Sequence, residues 1–311
     1  MNDSGHVLVI GAAGVDIKAK SSDALQWEQS NPGIVRHSIG GVARNVGENL
    51  ARLDVKTILL SAVGDDVLGK RVRRATRAGG VSVRHVRVVP GERTGSYVSI
   101  FKPDGTLWVA IHDFDIMSYV DRNYLLNHAE LFETARLVFI DSNLNDEALD
   151  TVFELAEQYG VKVAADPTAP VLAGKLCSRL DRLYFLTANA AETTQLCGLQ
   201  NPAKDRDTAI EAARQLVSLG VSIAVVTLGE SGAAYADSSG GGYIRAVRTQ
   251  VIDPTGAGDA FTGAVIFGLL NDVGVDEAMR LGTTAASLTL LSKDTVLPNL
   301  SQELLYDNLT V

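Results

Sequence analysis

Asp253-Pro254-Thr255-Gly256-Ala257-Gly258-Asp259-Ala260-Phe261 is the stretch on which the reading of this chain turns. The run Arg245 to Ile252 before it is strand-like, and the small, apolar run Ala260 to Leu270 after it reads as a helix. The Gly-rich turn therefore sits at a helix start. There the N–H groups of Gly256, Ala257 and Gly258 lack intrahelical partners, and the positive end of the helix dipole points outward. Such a place binds anions, and glycines without Cβ atoms let a phosphate come up against the backbone. Asp259 is the odd member, a carboxylate where a phosphate would sit. Two readings stand: an ordinary acid at a helix N-terminus, or a general base taking a proton from a hydroxyl that attacks a bound phosphoryl group.

The chain of 311 residues, 46% hydrophobic, can bury a large α/β core with at most a small appendage. A net charge of −9 without a basic run argues against nucleic acid or a membrane surface as partner. Cys177 and Cys197 have neither metal-ligand spacing nor a disulfide framework, and are expected as reduced thiols in the cytoplasm. Met1 to Gly5 carries no basic and apolar leader, so no signal peptide is expected, and no run of about 18 apolar residues offers a membrane span.

His6 to Ile10 reads as a buried strand ending at Gly11. Gly11-Ala12-Ala13-Gly14-Val15-Asp16 lacks the third glycine of a dinucleotide fingerprint, and Val15 to Lys18 alternates like a strand. Asp16 is then either a solvated turn residue or a carboxylate delivered into a cleft for sugar hydroxyls. Ile34 to Ile39 is a half-exposed strand. Gly40-Gly41 opens a helix through Leu53, with Val42, Val46, Leu50 and Leu53 on its apolar face and Asn49 as the polar exception. A ligand could touch the backbone at Gly41, with Asn45 one turn further in. Lys56 to Ala62 is a second buried strand. Gly64 to Arg71 fails as a P-loop, because Arg71 replaces the metal-binding hydroxyl and Asp65 and Asp66 stand where phosphate would lie. Those aspartates read as the start of a helix ending at Ala78.

Val83 to Val89, Gly95 to Phe101 and Thr106 to Ile111 alternate, and Pro103-Asp104-Gly105 is a hairpin signal. With Ile34 to Ile39 they are expected to form a small antiparallel sheet, which suits a lid or a dimer interface. Beyond residue 121 strands and helices alternate, which predicts a parallel sheet buried on both faces. The C-terminal ends of its strands carry Asp141-Ser142-Asn143, Asp166-Pro167, Asn189 to Glu192, and Thr227 to Gly232. Polar groups suited to Mg²⁺ and phosphate thus gather on one rim, although any one of them could be a helix cap.

Together these residues resemble the ribokinase-like (PfkB) carbohydrate kinases. Asp253 to Asp259 followed by Phe261-Thr262-Gly263 is similar to the family's C-terminal signature, and Gly40-Gly41…Asn45 followed by Gly64 to its N-terminal one. Asn189-Ala190-Ala191-Glu192 and Thr227-Leu228-Gly229…Gly232 resemble its N-x-x-E and ATP-loop elements. Within the family, Ser30 to Gly33, Gly40 to Val46, Leu60 to Gly64 and Val109 to Ile116 look like the pseudouridine kinase subgroup. The resemblance implies a three-layer α/β/α sandwich over residues 1–311, with a β lid inserted from about 16–39 and 83–115. It implies transfer of the ATP γ-phosphate to the 5′-hydroxyl of a ribosyl substrate such as pseudouridine. It makes Asp259 the base, and Gly256, Ala257 and Gly258 the anion hole. Asn189, Thr227, Gly229 and Gly232 would bind ATP, and Asp16, Gly41 and Asn45 the sugar. Glu192, Asn189 and Asp166 would organise Mg²⁺, and Asp253 and Thr255 a monovalent cation such as K⁺. Tyr97 and Phe114 could stack on a base or fill the lid core. A homodimer through the lid is expected. The alternatives are a kinase for another nucleoside or sugar, or an inactive ligand-binding regulator on the same scaffold.

Overall fold

Val7 and Val9 point to one side of the first strand and Leu8 and Ile10 to the other, and all four are fully buried. A strand buried on both faces needs a helical layer on each side, and two separate apolar cores flank the sheet. The computed structural model describes residues 5–309. Met1 to Ser4, on which the expectation about a signal peptide partly rests, lie outside the described residues.

In chain order the strands are β1 (His6–Ile10), β2 (Gly14–Ser21), β3 (Gly33–Gly40), β4 (Thr57–Gly64), β5 (Val86–Val89), β6 (Ser96–Phe101) and β7 (Leu107–Asp113). They continue with β8 (Ala135–Asp141), β9 (Val163–Asp166), β10 (Phe185–Asn189), β11 (Ile223–Thr227), β12 (Ala233–Asp237) and β13 (Gly240–Ile244). The longer helices are α1 (Val42–Arg52), α2 (Val67–Ala78), α3 (Asp146–Tyr159), α4 (Ala190–Cys197), α5 (Arg206–Ser218), α6 (Ala257–Leu270) and α7 (Val275–Leu290). Nine strands form the large sheet in the order β13-β12-β11-β10-β9-β8-β1-β4-β5. It is parallel except at the β11–β12 and β12–β13 pairs. The fold is the expected ribokinase-like α/β/α sandwich with a small second sheet, β3-β2-β6-β7.

Three local readings need correction. Val86–Val89 does not join the small sheet; it pairs in parallel with β4 at the edge of the large one. An edge strand with one covered face alternates much as a lid strand does, and Val86 and Val89 are its buried positions. The lid therefore starts at β6 rather than near residue 83. Its hairpins are antiparallel, but β2 and β6 run parallel. Finally, Arg245 to Ile252 is not a strand. It lies past the last edge strand with no neighbour to pair with, and its backbone hydrogen bond among the described residues runs from Ile252 N to Leu290 O at 2.8 Å.

Chain connections diverge between β1 and β8, where an open α/β sheet leaves a crevice beyond its strand ends. Asp141 occupies that point, fully buried. Its Oδ2 accepts the N–H groups of Ala12 at 2.8 Å and Ala43 at 3.1 Å, and its Oδ1 that of Asn143 at 3.0 Å. It thereby fastens the turn after β1 to the start of α1. Its rim position had suggested metal or phosphate, but its oxygens are committed to holding the site's two walls together. Gly41, at φ +99°, completes the junction, since a Cβ there would meet Ala12 O at 2.3 Å. Asp141→Ala leaves buried N–H groups without acceptors and is expected to cost about 1–3 kcal/mol. Urea denaturation checks this, and an unchanged midpoint would contradict the role given to Asp141.

Candidate active site

Gly256 caps α6 with φ +85°, and a Cβ on it would lie 1.8 Å from Thr295 O, so only glycine fits. Thr295 Oγ1 donates to Ile39 O at 2.6 Å, which ties the segment after α7 to the lid strand β3. Among the described residues no acceptor takes the N–H groups of Gly256, Ala257 or Gly258. These three N–H groups are therefore open to the oxygens of an anion.

Asp259 follows directly, one turn into α6. Its Oδ2 accepts a hydrogen bond from Asn45 Nδ2 at 2.7 Å, across from α1. The helices come this close because a Cβ on Gly263 would meet Asn49 Cβ at 2.8 Å. Asn49, the polar exception on α1, donates to Asn45 O at 2.9 Å. Burial pushes the Asp259 carboxyl up to about 7; the Asn45 bond opposes this, and Asp16 and Asp141 add to it. A carboxyl raised that far can take up a proton near neutral pH.

Asp16 lies on β2, 6% exposed, facing Ser38 and Tyr97 on the neighbouring strands. Burial raises its carboxyl to about 6, against the lowering effect of Lys18 and Arg44. No protein donor reaches it among the described residues, which leaves it open to ligand hydroxyls. Gly40 makes room for it, because a Cβ there would meet Asp16 Oδ1 at 2.3 Å. Phe114 packs an edge of its ring beside Gly14 and Gly95 at the base of the lid. Tyr97 remains on the Asp16 face.

Two cavities meet at Pro254. The larger, about 760 Å³, is lined by Thr227, Gly229, Gly232, Ala257 and Gly258, joined by Thr283 and Ser287 from α7. This is a nucleotide-sized cleft ending on the anion hole. The smaller, about 390 Å³, lies under the lid between Lys18, Lys20, Arg36 and Phe101 on one side and Ile252 to Pro254 on the other. The α7 residues were not legible in the sequence, since small side chains on a long helix carry no local mark of a ligand.

Asn189 and Glu192 form a reciprocal capping box at the start of α4, with Asn189 N donating to Glu192 Oε2 at 2.8 Å. Asn189 pairs in register with Thr227, so both stand on one rim. Asp166 sits on the adjacent strand and is pushed well up by burial, then by Glu192 and Asp259. Burial also raises Glu192. Carboxylates that crowd one cleft without a counter-cation fit a divalent metal. Among the described residues no three potential ligands cluster closely enough to hold one alone. A Mg²⁺ ion here would therefore draw the rest of its shell from waters and phosphate oxygens.

The monovalent-cation expectation does not fit. Asp253 Oδ2 is paired with Lys18 Nζ at 3.0 Å, and its Oδ1 accepts Thr255 N at 2.9 Å. An ammonium from the lid occupies the charge that Asp253 would offer an ion.

A further arrangement escaped sequence reasoning. Arg44, 4% exposed, donates through Nη1 to Asn45 Oδ1 at 2.9 Å and through Nε to Thr76 Oγ1 at 3.2 Å. Its Nη2 meets Glu48, which also binds Arg52 Nη2 at 2.6 Å. Asn45, expected to hold sugar hydroxyls, thus has both ends of its amide engaged within the protein.

A buried carboxylate beside a helix start whose N–H groups open on a nucleotide-sized cleft offers the parts that phosphoryl transfer needs. The family model for pfkB family carbohydrate kinases matches residues 4–302. Pseudouridine kinase of Escherichia coli (strain K12) is 33% identical over 302 residues, covering 97% of this chain and 95% of that protein. A carbohydrate kinase from Agrobacterium tumefaciens superposes with a TM-score of 0.81 at 27% identity, over 98% of this chain and 97% of that one. Ribokinase of Arabidopsis thaliana, complexed with ribose and ATP, superposes with a TM-score of 0.82 at 23% identity over 99% of both chains. With that cleft, that carboxylate and a family match over nearly its whole length, the chain belongs to the pfkB family of carbohydrate kinases, enzymes that transfer a phosphoryl group from ATP to an alcohol.

Proposed function

We propose that this kinase phosphorylates the 5′-hydroxyl of a ribosyl substrate, and that the substrate is pseudouridine. The observation that carries the reaction is Asp259, a carboxylate raised to about 7 beside three N–H groups at the start of α6, where Ala257 and Gly258 line the larger cavity. ATP enters the larger cavity with its γ-phosphate on Gly256 to Gly258. The sugar lies under the lid, its hydroxyls on Asp16 and the Gly41 backbone. Asp259 orients the 5′-hydroxyl and takes its proton, while the N–H groups stabilise charge on the transferring oxygens. Glu192 and Asp166 would hold Mg²⁺ through water and phosphate, and the ion would supply charge neutralisation at the ATP phosphates. The choice of pseudouridine rests on the whole-length likeness to the Escherichia coli enzyme. The lid pocket supports it, for Lys18, Lys20 and Arg36 offer donors to ring carbonyls and Phe101 an apolar wall.

The lid's outer face carries exposed Val35, Val109 and Ile111, near the edge-to-face pair Trp27 and Trp108 with ring centroids 5.1 Å apart. Such a face suits a second copy of the chain, and a homodimer through the lid is part of this proposal.

Asp259→Asn is expected to lower kcat by about 10²–10⁴ while the protein stays folded; near-normal turnover would remove Asp259 from its role. The sign of the pH dependence follows from the raised carboxyl. Asp259 acts ionised, so kcat/KM is lost as pH falls through about 7, whereas an ordinary aspartate would keep activity down to about 4. ATP consumption measured in parallel with pseudouridine, uridine, adenosine, ribose and fructose tests the substrate, and a higher kcat/KM for any of the others would displace pseudouridine. A thermal shift with one compound and no turnover with any would favour a binding regulator. Because Lys18 already neutralises Asp253, replacing choline chloride with KCl at constant ionic strength should leave wild-type kcat unchanged. In Lys18→Met the same exchange should raise it. Activation of the wild-type enzyme by K⁺ would show that Asp253 remains open to an ion.

A further inference from the structure

Asn45 presents an amide whose two ends differ, and only one orientation can donate to Asp259. The Nδ2 end lies 2.7 Å from Asp259 Oδ2, and the Oδ1 end accepts Arg44 Nη1 at 2.9 Å. Arg44 has no acceptor lone pair, so a flipped amide would face its guanidinium with an NH₂ and lose both bonds. Arg44 itself cannot swing away. Its Nε is bonded to Thr76 Oγ1 on α2 at 3.2 Å, its other arm meets Glu48, and it is 4% exposed. Glu48 is held in turn by Arg52 Nε at 2.9 Å. Gly79, just past α2, leaves room for the Glu48 carboxyl, which a Cβ there would meet at 2.4 Å. A helix-surface ion pair needs none of this burial or cross-helix bonding.

We propose that Arg44 is a positioning residue for phosphoryl transfer: through its fixed guanidinium it locks the Asn45 amide so that Nδ2 holds Asp259 Oδ2, leaving Oδ1 to receive the substrate proton. Glu48, Thr76 and Arg52 hold the guanidinium in place. The inference rests on the reading of Asp259 as the base. The Arg44 charge, which lysine keeps, also lowers Asp259 directly, and the other charged groups acting on it are Asp16 from β2 and Asp141 from β8, while Asp259 itself helps to raise Asp166 on β9; none of these carboxylates contacts the Asn45 amide among the described residues.

The test compares Arg44→Lys, Arg44→Met and Asn45→Ala by kcat, KM and the pH dependence of kcat/KM, with thermal unfolding as the fold check. Lysine keeps a charge for Glu48 but has no planar fork to grip Asn45 and Thr76 together. Arg44→Lys is therefore expected to stay folded and to lose kcat on the order of tenfold with little change in the KM for ATP, as a small displacement of a catalytic group does. Its acid limb should move to higher pH, because the Asn45 bond that opposes the rise in Asp259 is loosened. Arg44→Met should show the same changes, larger. In the Asn45→Ala background Arg44→Lys should add no further loss of kcat, since its route to Asp259 is already cut. Wild-type kcat and an unmoved acid limb in folded Arg44→Lys would overturn the proposal, even if Arg44→Met fails to fold. So would an undiminished effect of Arg44→Lys in the Asn45→Ala background. Should Asp259→Asn retain turnover, the assignment of the base fails; should Asp259→Asn be inactive while Arg44→Lys is normal, only the role of Arg44 fails.

Discussion

The hydrogen bond from Asn45 Nδ2 to Asp259 Oδ2 joins the helix that follows the sugar side of the site to the helix that follows its phosphate side. Everything that shapes the cleft converges on that contact. Asp141 fastens the start of α1 to the turn after β1, so Asn45 stands at a set distance from the sheet. Gly263 lets α6 approach α1, and Thr295 closes over Gly256 while bonding the lid strand behind it. Asp259 is thus placed by segments far apart in sequence, each fixed by a close contact that tolerates little change in side-chain size.

The same geometry has an electrostatic cost in the resting protein. Asp16 acts on Asp259, and Asp259 and Glu192 act on Asp166, and burial raises each of the four. Carboxyls raised by folding bind more protons in the folded state than in the unfolded one. Their contribution to stability therefore falls as pH rises from the ordinary carboxylate range toward about 7. A divalent cation and the hydroxyls of a sugar bound as proposed would offset that cost. The resting site is destabilised in the way that suits its ligands, which fits the placing of function at strained or unsatisfied positions. Lys18 is the protein's own partial remedy, a lid ammonium that meets Asp253 and lowers Asp16.

The sheet, the rim and the Gly-rich turn were legible because they are written in local patterns. Apolar strands without alternation, caps at helix starts and glycines at a phosphate turn act within a few residues of each other. Asp54, at φ +61° in an exposed turn, shows the same principle, holding a conformation that glycine takes more easily. What was not legible depends on partners distant in the chain. Val86–Val89 has the alternation of a lid strand, and only its parallel pairing with β4 assigns it to the large sheet. Arg245 to Ile252 lacks a neighbour to pair with, a fact of topology and not of composition. The commitment of Asp141 to two distant N–H groups, the pairing of Lys18 with Asp253 across 235 residues, and the grip of Arg44 on Asn45 are likewise tertiary.

The account stands or falls on the state of one carboxyl group. Selective ¹³C labelling of aspartate, with Asp259→Asn used to assign the signal, allows the Asp259 carboxyl to be titrated directly by NMR in the resting enzyme. A midpoint at about 7 is predicted, from burial beside Asp16 and Asp141 against the opposing Asn45 bond and Arg44 charge. A midpoint in the ordinary aspartate range, about 4, would mean that the group is solvated and paired as a plain helix cap, and would contradict its reading as a base poised for proton transfer.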